Sequence, residues 1–290
     1  MTLPELFSEY VKAGLYLKGW SPKTPVIYER AFRSLQASLG EESLTKGRLE
    51  AWVVAMRERG LTPACVNIYV RAMNAFIHWL HAEGHLDVRV ILRQLPNPQK
   101  PLRGISDVEV KAILAFRPVV KQAVRTWTLI TLLLDTGVRI DEALGLTVAN
   151  VDMDGLSIRV LGKGNRERLV PFSFELRKHL FRYSRSEVRA GINSPFVFCS
   201  GDGSQLMYRN TYRDIKNLCA KAGVTGEHVH PHSFRHKFAT TYIRRGGDIY
   251  RLSRILGHST ISTTQVYLRS MGIEHLGERH SALSPLSRHG

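Results

Sequence analysis

A short proline-rich segment divides this 290-residue chain into two parts. Pro96, Pro98 and Pro101 lie within six residues, and each proline removes a backbone donor and restricts its predecessor to an extended conformation. We therefore predict a linker over residues 96–106, between an N-terminal domain of residues 1–95 and a C-terminal domain of residues 107–290. The chain length, near that of two average domains, agrees with this division.

The N-terminal part has the apolar spacing of helices. Val66, Val70, Met73 and Ile77 recur at intervals of three and four residues, which is the pattern that buries one side of a helix. Hydroxyl residues before prolines, as at Thr62, are typical of helix starts. We predict an all-helical domain with helices near residues 3–17, 22–39, 45–59 and 62–83.

The C-terminal part is predicted to be mainly helical with one hairpin. Ser106 and Glu109 have the spacing of a capping box. Residues 156–161 and 166–171 resemble two short strands around a glycine-rich turn. Helices are expected near residues 107–115, 121–136, 139–145, 174–190, 208–222, 232–245, 248–256 and 261–269. The predicted fold class is mainly α with a small antiparallel β-sheet.

The charge of the chain points to a polyanionic partner. Lys and Arg number 41 against 25 Asp and Glu, a net charge of +16. Residues 1–95 hold 12 basic and 9 acidic side chains, so most of the excess lies in the C-terminal part. Phosphates neutralised by such side chains release counterions, which favours binding to nucleic acid. A basic surface that serves only solubility is the alternative, because net charge concerns association and not chemistry.

Membrane, secreted and disulfide-rich classes are disfavoured. No stretch approaches the roughly 18 apolar residues of a membrane span, and the N-terminal residues lack the pattern of an export signal. Cys65, Cys199 and Cys219 are odd in number and show no C-x-x-C spacing. We therefore expect a soluble protein of the reducing cytoplasm.

Two short segments each gather polar groups on one side of a predicted helix. Arg139 and Glu142 are three residues apart, so the carboxylate could hold the guanidinium, although a surface ion pair is the commoner meaning of this spacing. His232, Arg235 and His236 lie within one turn. Metal binding by His232 and His236 is the rival interpretation, disfavoured because carboxylates and cysteines are absent nearby.

Lys163 and Tyr267 complete the set of candidate residues. Lys163 lies between two glycines of the hairpin turn, which differs from a Walker phosphate loop and which alone indicates a solvated turn. Gly257 is predicted to end one helix, with His258 at the junction and Tyr267 on the next helix. A single tyrosine in that position is more often packing than chemistry.

Taken in order, these segments resemble the tyrosine recombinase family, which includes phage integrases and Xer-type and Cre-type recombinases. The family pattern is T-G-x-R-x-x-E, a lysine in G-K-G, H-x-x-R-H, then L-G-H followed nine residues later by the tyrosine of T-T-x-x-Y. All are present, as Arg139 with Glu142, Lys163, His232 with Arg235 and His236, His258 and Tyr267. Residues 1–95 are similar, in pattern only, to the family's helical (SAM-like) core-binding domain. Asp141, Phe234 and Arg269 depart from common family residues without removing a reacting group.

The resemblance implies a reaction that needs neither metal nor cofactor. Tyr267 would attack the scissile phosphate, giving a 3′-phosphotyrosyl bond and a free 5′-hydroxyl. Arg139 and Arg235 would bind the non-bridging oxygens through their forked donors.

The remaining candidates would orient groups or move protons. Lys163 would protonate the leaving 5′ oxygen, and His232 would exchange a proton with Tyr267. His258 would donate a hydrogen bond to the phosphate and Glu142 would orient Arg139, while His236 would act only through its neighbours.

The resemblance also implies the partners. They are double-stranded DNA held in a C-shaped clamp of two domains, three further protomers in a homotetramer that works through a Holliday junction, and an accessory recombinase or excisionase. Lys23, Arg71 and Arg166 are candidate DNA contacts. The expected location is the cytoplasm, in association with the nucleoid. The alternatives are a type IB topoisomerase, a catalytically silent DNA-binding protein and a metal-dependent nuclease.

Overall fold

The computed structural model describes residues 1–39, 44–97, 104–162 and 167–269. The chain divides into two compact units, Met1–Pro101 and Leu102–Gly290, at a point inside the predicted linker. The described residues are mostly helical with one three-stranded antiparallel sheet, which confirms the predicted fold class. Within these ranges, no helix has the length and apolar character required to cross a bilayer.

The first unit consists of helices packed around an aromatic core. Thr62 caps the longest helix by accepting a hydrogen bond from the Cys65 amide. Phe7 stacks on Phe32 with ring centroids 4.0 Å apart, and Phe76 packs edge-on against both. The helices are α1 (Leu3–Tyr16), α2 (Thr24–Leu39), α3 (Lys46–Glu58) and α4 (Pro63–Ala82).

Two asparagines of α4 hold the residues that precede the linker. The Asn67 side chain donates to the Leu95 carbonyl at 2.9 Å and accepts from the Leu95 amide at 2.7 Å. Asn74 makes the same pair of bonds with Leu92, at 2.9 and 3.0 Å. The amide side chains thus satisfy backbone groups that have no helix or sheet partner, and they attach the segment around Leu92 and Leu95 to α4.

The second unit is built on helix α6 (Lys121–Thr136), which packs against α8 (Phe174–Ser184), α9 (Tyr208–Lys221) and α10 (Pro231–Arg244) and also contacts α7 (Ile140–Leu144). Threonine hydroxyls in this buried helix donate to carbonyls one turn earlier, as Thr136 does to Leu132 at 2.7 Å, so the polar groups are satisfied. The helices are α5 (Asp107–Ala115), α6 (Lys121–Thr136), α7 (Ile140–Leu144), α8 (Phe174–Ser184), α9 (Tyr208–Lys221), α10 (Pro231–Arg244), α11 (Ile249–Leu256) and α12 (Ser262–Arg269).

The sheet has the order β1 (Val151–Asp152), β2 (Ser157–Leu161), β3 (Glu167–Pro171). Ile158 pairs with Val170, and Val160 pairs with Arg168. Ile158, Val160 and Val170 are buried, so Arg168 lies on the core side of the sheet together with three apolar residues.

Two elements differ from the sequence-based expectation. Helix α8 ends at Ser184 instead of residue 190. Beyond it, the Arg189 guanidinium donates to the carbonyls of Ile192, Ser194 and Phe196, so the chain forms a local loop in place of further helix. Strand β1 was not predicted, because two residues are too few to show an alternation.

Candidate active site

Arg235 is the most deeply buried charged residue among the candidates, with 4% of its surface exposed. Its Nη1 donates to the Gly137 carbonyl at 2.7 Å, and its Nη2 contacts the Leu256 carbonyl at 2.8 Å and His258 Nε2 at 2.9 Å. Burial and the charge of Arg139 lower the pKa of the guanidinium to about 10, so it stays protonated at neutral pH. These three acceptors carry no formal charge, so they do not neutralise the positive charge of the guanidinium. An anion can therefore bind to it.

The end of α11 supplies acceptors to three different arginines. The Ile255 carbonyl accepts from Arg168 Nε at 2.8 Å, the Leu256 carbonyl from Arg235, and the Gly257 carbonyl from Arg139 Nη2 at 3.4 Å. The last carbonyls of a helix lack intrahelical donors and carry the negative end of its dipole. The carbonyls at this helix terminus therefore hold the three arginines close together.

Glycines in the left-handed conformation end α6 and α11. Gly137 has φ 64° and Gly257 has φ 65°, values that favour glycine. A Cβ on Gly137 would lie 2.3 Å from the Phe238 ring, and one on Gly257 would lie 2.9 Å from the Arg168 guanidinium. Both positions therefore require glycine for conformation and for space.

Glu142 is a carboxylate that binds two arginines of the site. Its side chain is 6% exposed, so the interpretation of Arg139 and Glu142 as a surface pair is wrong. Glu142 Oε2 accepts from the Arg139 amide at 2.7 Å, and Oε1 accepts from Arg139 Nη1 at 3.0 Å. Burial acts to raise the pKa of this carboxyl, but the hydrogen bonds from Arg168 and Arg139 outweigh it and hold the pKa below its usual value.

His258 is fixed as one neutral tautomer. Because the Arg235 guanidinium can only donate, His258 Nε2 must accept and the proton must lie on Nδ1, which contacts Thr264 Oγ1 at 2.8 Å. Burial, Arg235 and Arg139 lower the pKa of His258 to about 4. Both ring nitrogens are engaged, so the predicted hydrogen bond to a phosphate requires one of these contacts to be exchanged.

Tyr267 lies beside two histidine rings. Its ring is nearly parallel to that of His258, with centroids 6.2 Å apart, and meets His236 edge-on at 5.3 Å. Thr264 is fully buried one turn before Tyr267 on α12. The same helix therefore orients His258 through Thr264 and carries the tyrosine against it.

His232 is the second residue of α10, and its ring lies at a centroid distance of 6.4 Å from that of His230. Burial and the charges of Arg235 and Arg139 lower its pKa, which favours the neutral ring at pH 7. The expected exchange of a proton between His232 and Tyr267 stays a prediction. His236, expected to act only indirectly, is the α10 histidine for which a ring contact with Tyr267 is present.

The motifs of the site are those of a known protein family. The model of the phage integrase family matches residues 104–272. The chain belongs to the phage integrase family. The resemblance to tyrosine recombinases is thus confirmed, and with it the class of enzyme, since members of this family are site-specific DNA recombinases that break and rejoin DNA.

Relatives of this phage integrase family member match along almost its whole length. It is 30% identical to the tyrosine recombinase XerC of Xylella fastidiosa (strain 9a5c), over 93% of this chain and 94% of that protein. It is 27% identical to the tyrosine recombinase XerC of Salmonella typhi, over 93% of this chain and 92% of that protein. The Tn1549 transposon integrase in complex with transposon right end DNA has the same fold, with a TM-score of 0.81, 20% identity and coverage of 98% and 99%.

The other predicted site residues of this tyrosine recombinase lie outside the described residues or on the surface of the first unit. Lys163 and Arg166 lie outside the described residues. Lys23, in the turn before α2, and Arg71, on α4, are exposed on the first unit. The predicted DNA contacts of these residues stay predictions. Across the described ranges, no group of three or more His, Cys, Asp or Glu side chains could hold a metal ion.

Arg168 was missed by the sequence analysis. Its Nη1 and Nη2 donate to Glu142 Oε1 and Oε2, each at 2.8 Å, and its side chain is 13% exposed. A signal was present, because Arg168 lies two residues before Val170 in a short alternating strand and therefore on the side that faces the core. A charged residue at such a position predicts a buried partner.

Helix α9 of the recombinase carries a second feature that sequence analysis missed. Tyr208, Tyr212 and Lys216 follow at four-residue intervals, with the two rings 6.2 Å apart and the ammonium 5.8 Å from the Tyr212 centroid. Arg209 and Arg213 are exposed beside them. Aromatic and cationic side chains on one helix surface are suited to a phosphate backbone.

Proposed function

We propose that this protein cleaves and rejoins DNA at specific sites through a covalent 3′-phosphotyrosyl intermediate, with Tyr267 as the nucleophile. The observation that carries the proposal is the continuous series of contacts from Tyr267 to His258 and from His258 to the buried Arg235. A phenol linked through a histidine to a fixed guanidinium supplies what phosphoryl transfer requires, a nucleophile and a donor for the developing charge.

Arg235 and Arg139 hold the non-bridging oxygens of the scissile phosphate. Arg235 is fixed by neutral acceptors, and Arg139 keeps 36% of its side chain exposed although Glu142 binds its Nη1. Guanidinium groups suit this task because their planar donors match two phosphate oxygens at once. The phosphate would take the place of weak contacts, such as the 3.4 Å bond from Arg139 to the Gly257 carbonyl.

Proton transfer is divided between a base and an acid. His232, whose lowered pKa keeps it neutral at pH 7, takes the proton of the Tyr267 hydroxyl as it attacks. Lys163 gives a proton to the leaving 5′ oxygen. The phosphotyrosyl bond conserves the energy of the broken bond, so the reverse reaction rejoins the strand without an external energy source.

Recombination of two duplexes requires these steps on paired sites. We propose a homotetramer on double-stranded DNA that exchanges one pair of strands and then the other through a Holliday junction, in the cytoplasm. An accessory recombinase or an excisionase would select the direction. The solved Tn1549 transposon integrase complex with transposon DNA supports a DNA partner.

The test is the capture of the covalent intermediate. The bound site is first selected from a random duplex library with the full chain, and a nick near each candidate scissile phosphate then lets the short fragment leave after cleavage. The wild-type protein should form an adduct in the presence of a chelator. The adduct should retain a label placed at the 5′ end of the cleaved strand, because the protein is joined to the 3′ phosphate. The released fragment should carry a 5′-hydroxyl that a kinase can phosphorylate. Tyr267→Phe should bind the same DNA and form no adduct.

A matched control separates the nucleophile from general damage. Tyr250 lies on α11 and is 68% exposed, so Tyr250→Phe should form the adduct at the wild-type rate. Binding without any wild-type adduct would favour the silent DNA-binding protein, and cleavage abolished by the chelator would favour the metal-dependent nuclease. Relaxation of supercoiled plasmid without paired sites would favour the topoisomerase.

A further inference from the structure

Arg168, on strand β3, belongs to none of the family motifs identified in the sequence. Its three donor nitrogens are all used: Nη1 and Nη2 on the two oxygens of Glu142, at 2.8 Å each, and Nε on the Ile255 carbonyl at 2.8 Å. The chemistry proposed above gives this residue no task. It nevertheless lies between the carboxylate that contacts Arg139 and the helix end that contacts Arg235.

The carboxylate of Glu142 is filled by these donors. Oε1 accepts from Arg168 and from Arg139 Nη1, and Oε2 accepts from Arg168 and from the Arg139 amide. A carboxylate offers about four acceptor positions, and all of them are taken. Arg139 therefore has only one side-chain nitrogen on Glu142, and its Nη2 makes only the 3.4 Å contact with the Gly257 carbonyl, which a ligand can displace.

We propose that Arg168 is a positioning residue, which occupies Glu142 and thereby keeps the Arg139 guanidinium open to the scissile phosphate. This inference rests on the proposed function. Without Arg168, the buried Glu142 would lose two donors, and Arg139 is the cation already in contact with it. Arg139 would then bind both carboxylate oxygens, the favoured geometry of an arginine and a carboxylate, and would be withdrawn from the substrate.

The contact with Ile255 places Arg168 beside the end of α11. Ile255, Leu256, Gly257 and His258 are consecutive, and each binds one of the three arginines. Arg168 thus links strand β3 to the turn that orients His258. The Arg168 guanidinium also lies against Gly257, where a Cβ would be 2.9 Å away.

The experiment compares a normal scissile phosphate with a methylphosphonate at the same position. A methylphosphonate has no negative charge on its non-bridging oxygen, so its cleavage depends much less on the guanidinium of Arg139. Arg168→Gln should lower the single-turnover rate of adduct formation on the normal phosphate by about 100-fold, as expected for the loss of one preorganised donor. On the methylphosphonate, the same variant should react at nearly the wild-type rate, with DNA affinity unchanged on both.

A second variant and a control keep the result interpretable if Arg168→Gln folds poorly. Arg168→Lys retains the charge but binds one carboxylate oxygen at a time, so it should show a smaller loss that is again confined to the normal phosphate. Arg159 lies on the neighbouring strand in an exposed pair with Glu167 at 3.8 Å, and Arg159→Gln should match the wild type on both substrates.

The outcomes separate the two proposals. A rate loss of equal size on both substrates, or no loss for either Arg168 variant, would overturn the positioning role while leaving the proposed function intact. A wild-type protein that binds its site and forms no adduct would overturn the proposed function and this inference together.

Discussion

Substitution of Gly137 by alanine tests how tightly the backbone around Arg235 is constrained. The left-handed conformation at φ 64° costs an alanine about 1–2 kcal/mol. The new Cβ would lie 2.3 Å from Phe238 Cδ1, and overpacking of this kind costs about 1–3 kcal/mol. Gly137→Ala should therefore lower the free energy of unfolding of the second unit by about 2–5 kcal/mol. It should also slow adduct formation, because the displaced carbonyl accepts from Arg235 at 2.7 Å.

Hydrogen exchange of α6 and α10 amides in increasing urea measures this loss in the second unit of the full chain. Gly223→Ala is the matched control, because Gly223 has φ 80° and a Cβ there would meet nothing within 4 Å. It should lose only the conformational contribution of about 1–2 kcal/mol and keep its adduct rate. The reasoning is refuted if Gly137→Ala is no less stable than Gly223→Ala, since the clash with Phe238 would then have no effect.

Two further predictions concern His258. Thr264→Val removes the hydroxyl that His258 Nδ1 contacts at 2.8 Å. Adduct formation should therefore slow about 10-fold, the equivalent of about one buried hydrogen bond. Thr264→Ser keeps a hydroxyl and should form the adduct at the wild-type rate. Because folding lowers the pKa of His258 from 6.5 to about 4, the unfolded chain binds more protons than the folded chain between these two pH values. The free energy of unfolding, measured by urea denaturation, should therefore decrease as the pH falls through that window. The decrease should be smaller in His258→Gln than in the wild type. An equal decrease in the two proteins would contradict the lowered pKa of His258.

Much of the fold was predictable because its signals are local. Helix α5 begins at Asp107, as the capping box of Ser106 and Glu109 predicts, and α6 and α11 end before Gly137 and Gly257. In each case, the decisive atoms lie within four residues of one another. The order of the family motifs likewise identified the candidate residues without any knowledge of their distances.

The contacts between distant segments were not predictable in the same way. Arg168 and Glu142 are 26 residues apart, and Asn67 and Leu95 are 28 apart, so no local spacing relates them. Hydrophobic periodicity identifies which side of an element is buried, but it does not identify the polar partner on the opposite element. The predicted end of α8 was wrong for a different reason: Arg189 donates to carbonyls three, five and seven residues later, local contacts that hydrophobic periodicity does not reveal.

The charges of the site match the transition state of the proposed reaction better than its substrate. Among the described side chains, Arg139, Arg168 and Arg235 are in contact with one carboxylate or with the end of α11, which leaves two positive charges in excess. His258, with a pKa of about 4, adds none at neutral pH. A phosphodiester carries one negative charge, whereas the five-coordinate phosphorus formed by a phenolate carries two. Only interactions that are stronger in the transition state than in the substrate accelerate a reaction. One of the two excess positive charges neutralises the phosphodiester. The second stabilises the additional negative charge that forms when Tyr267 attacks.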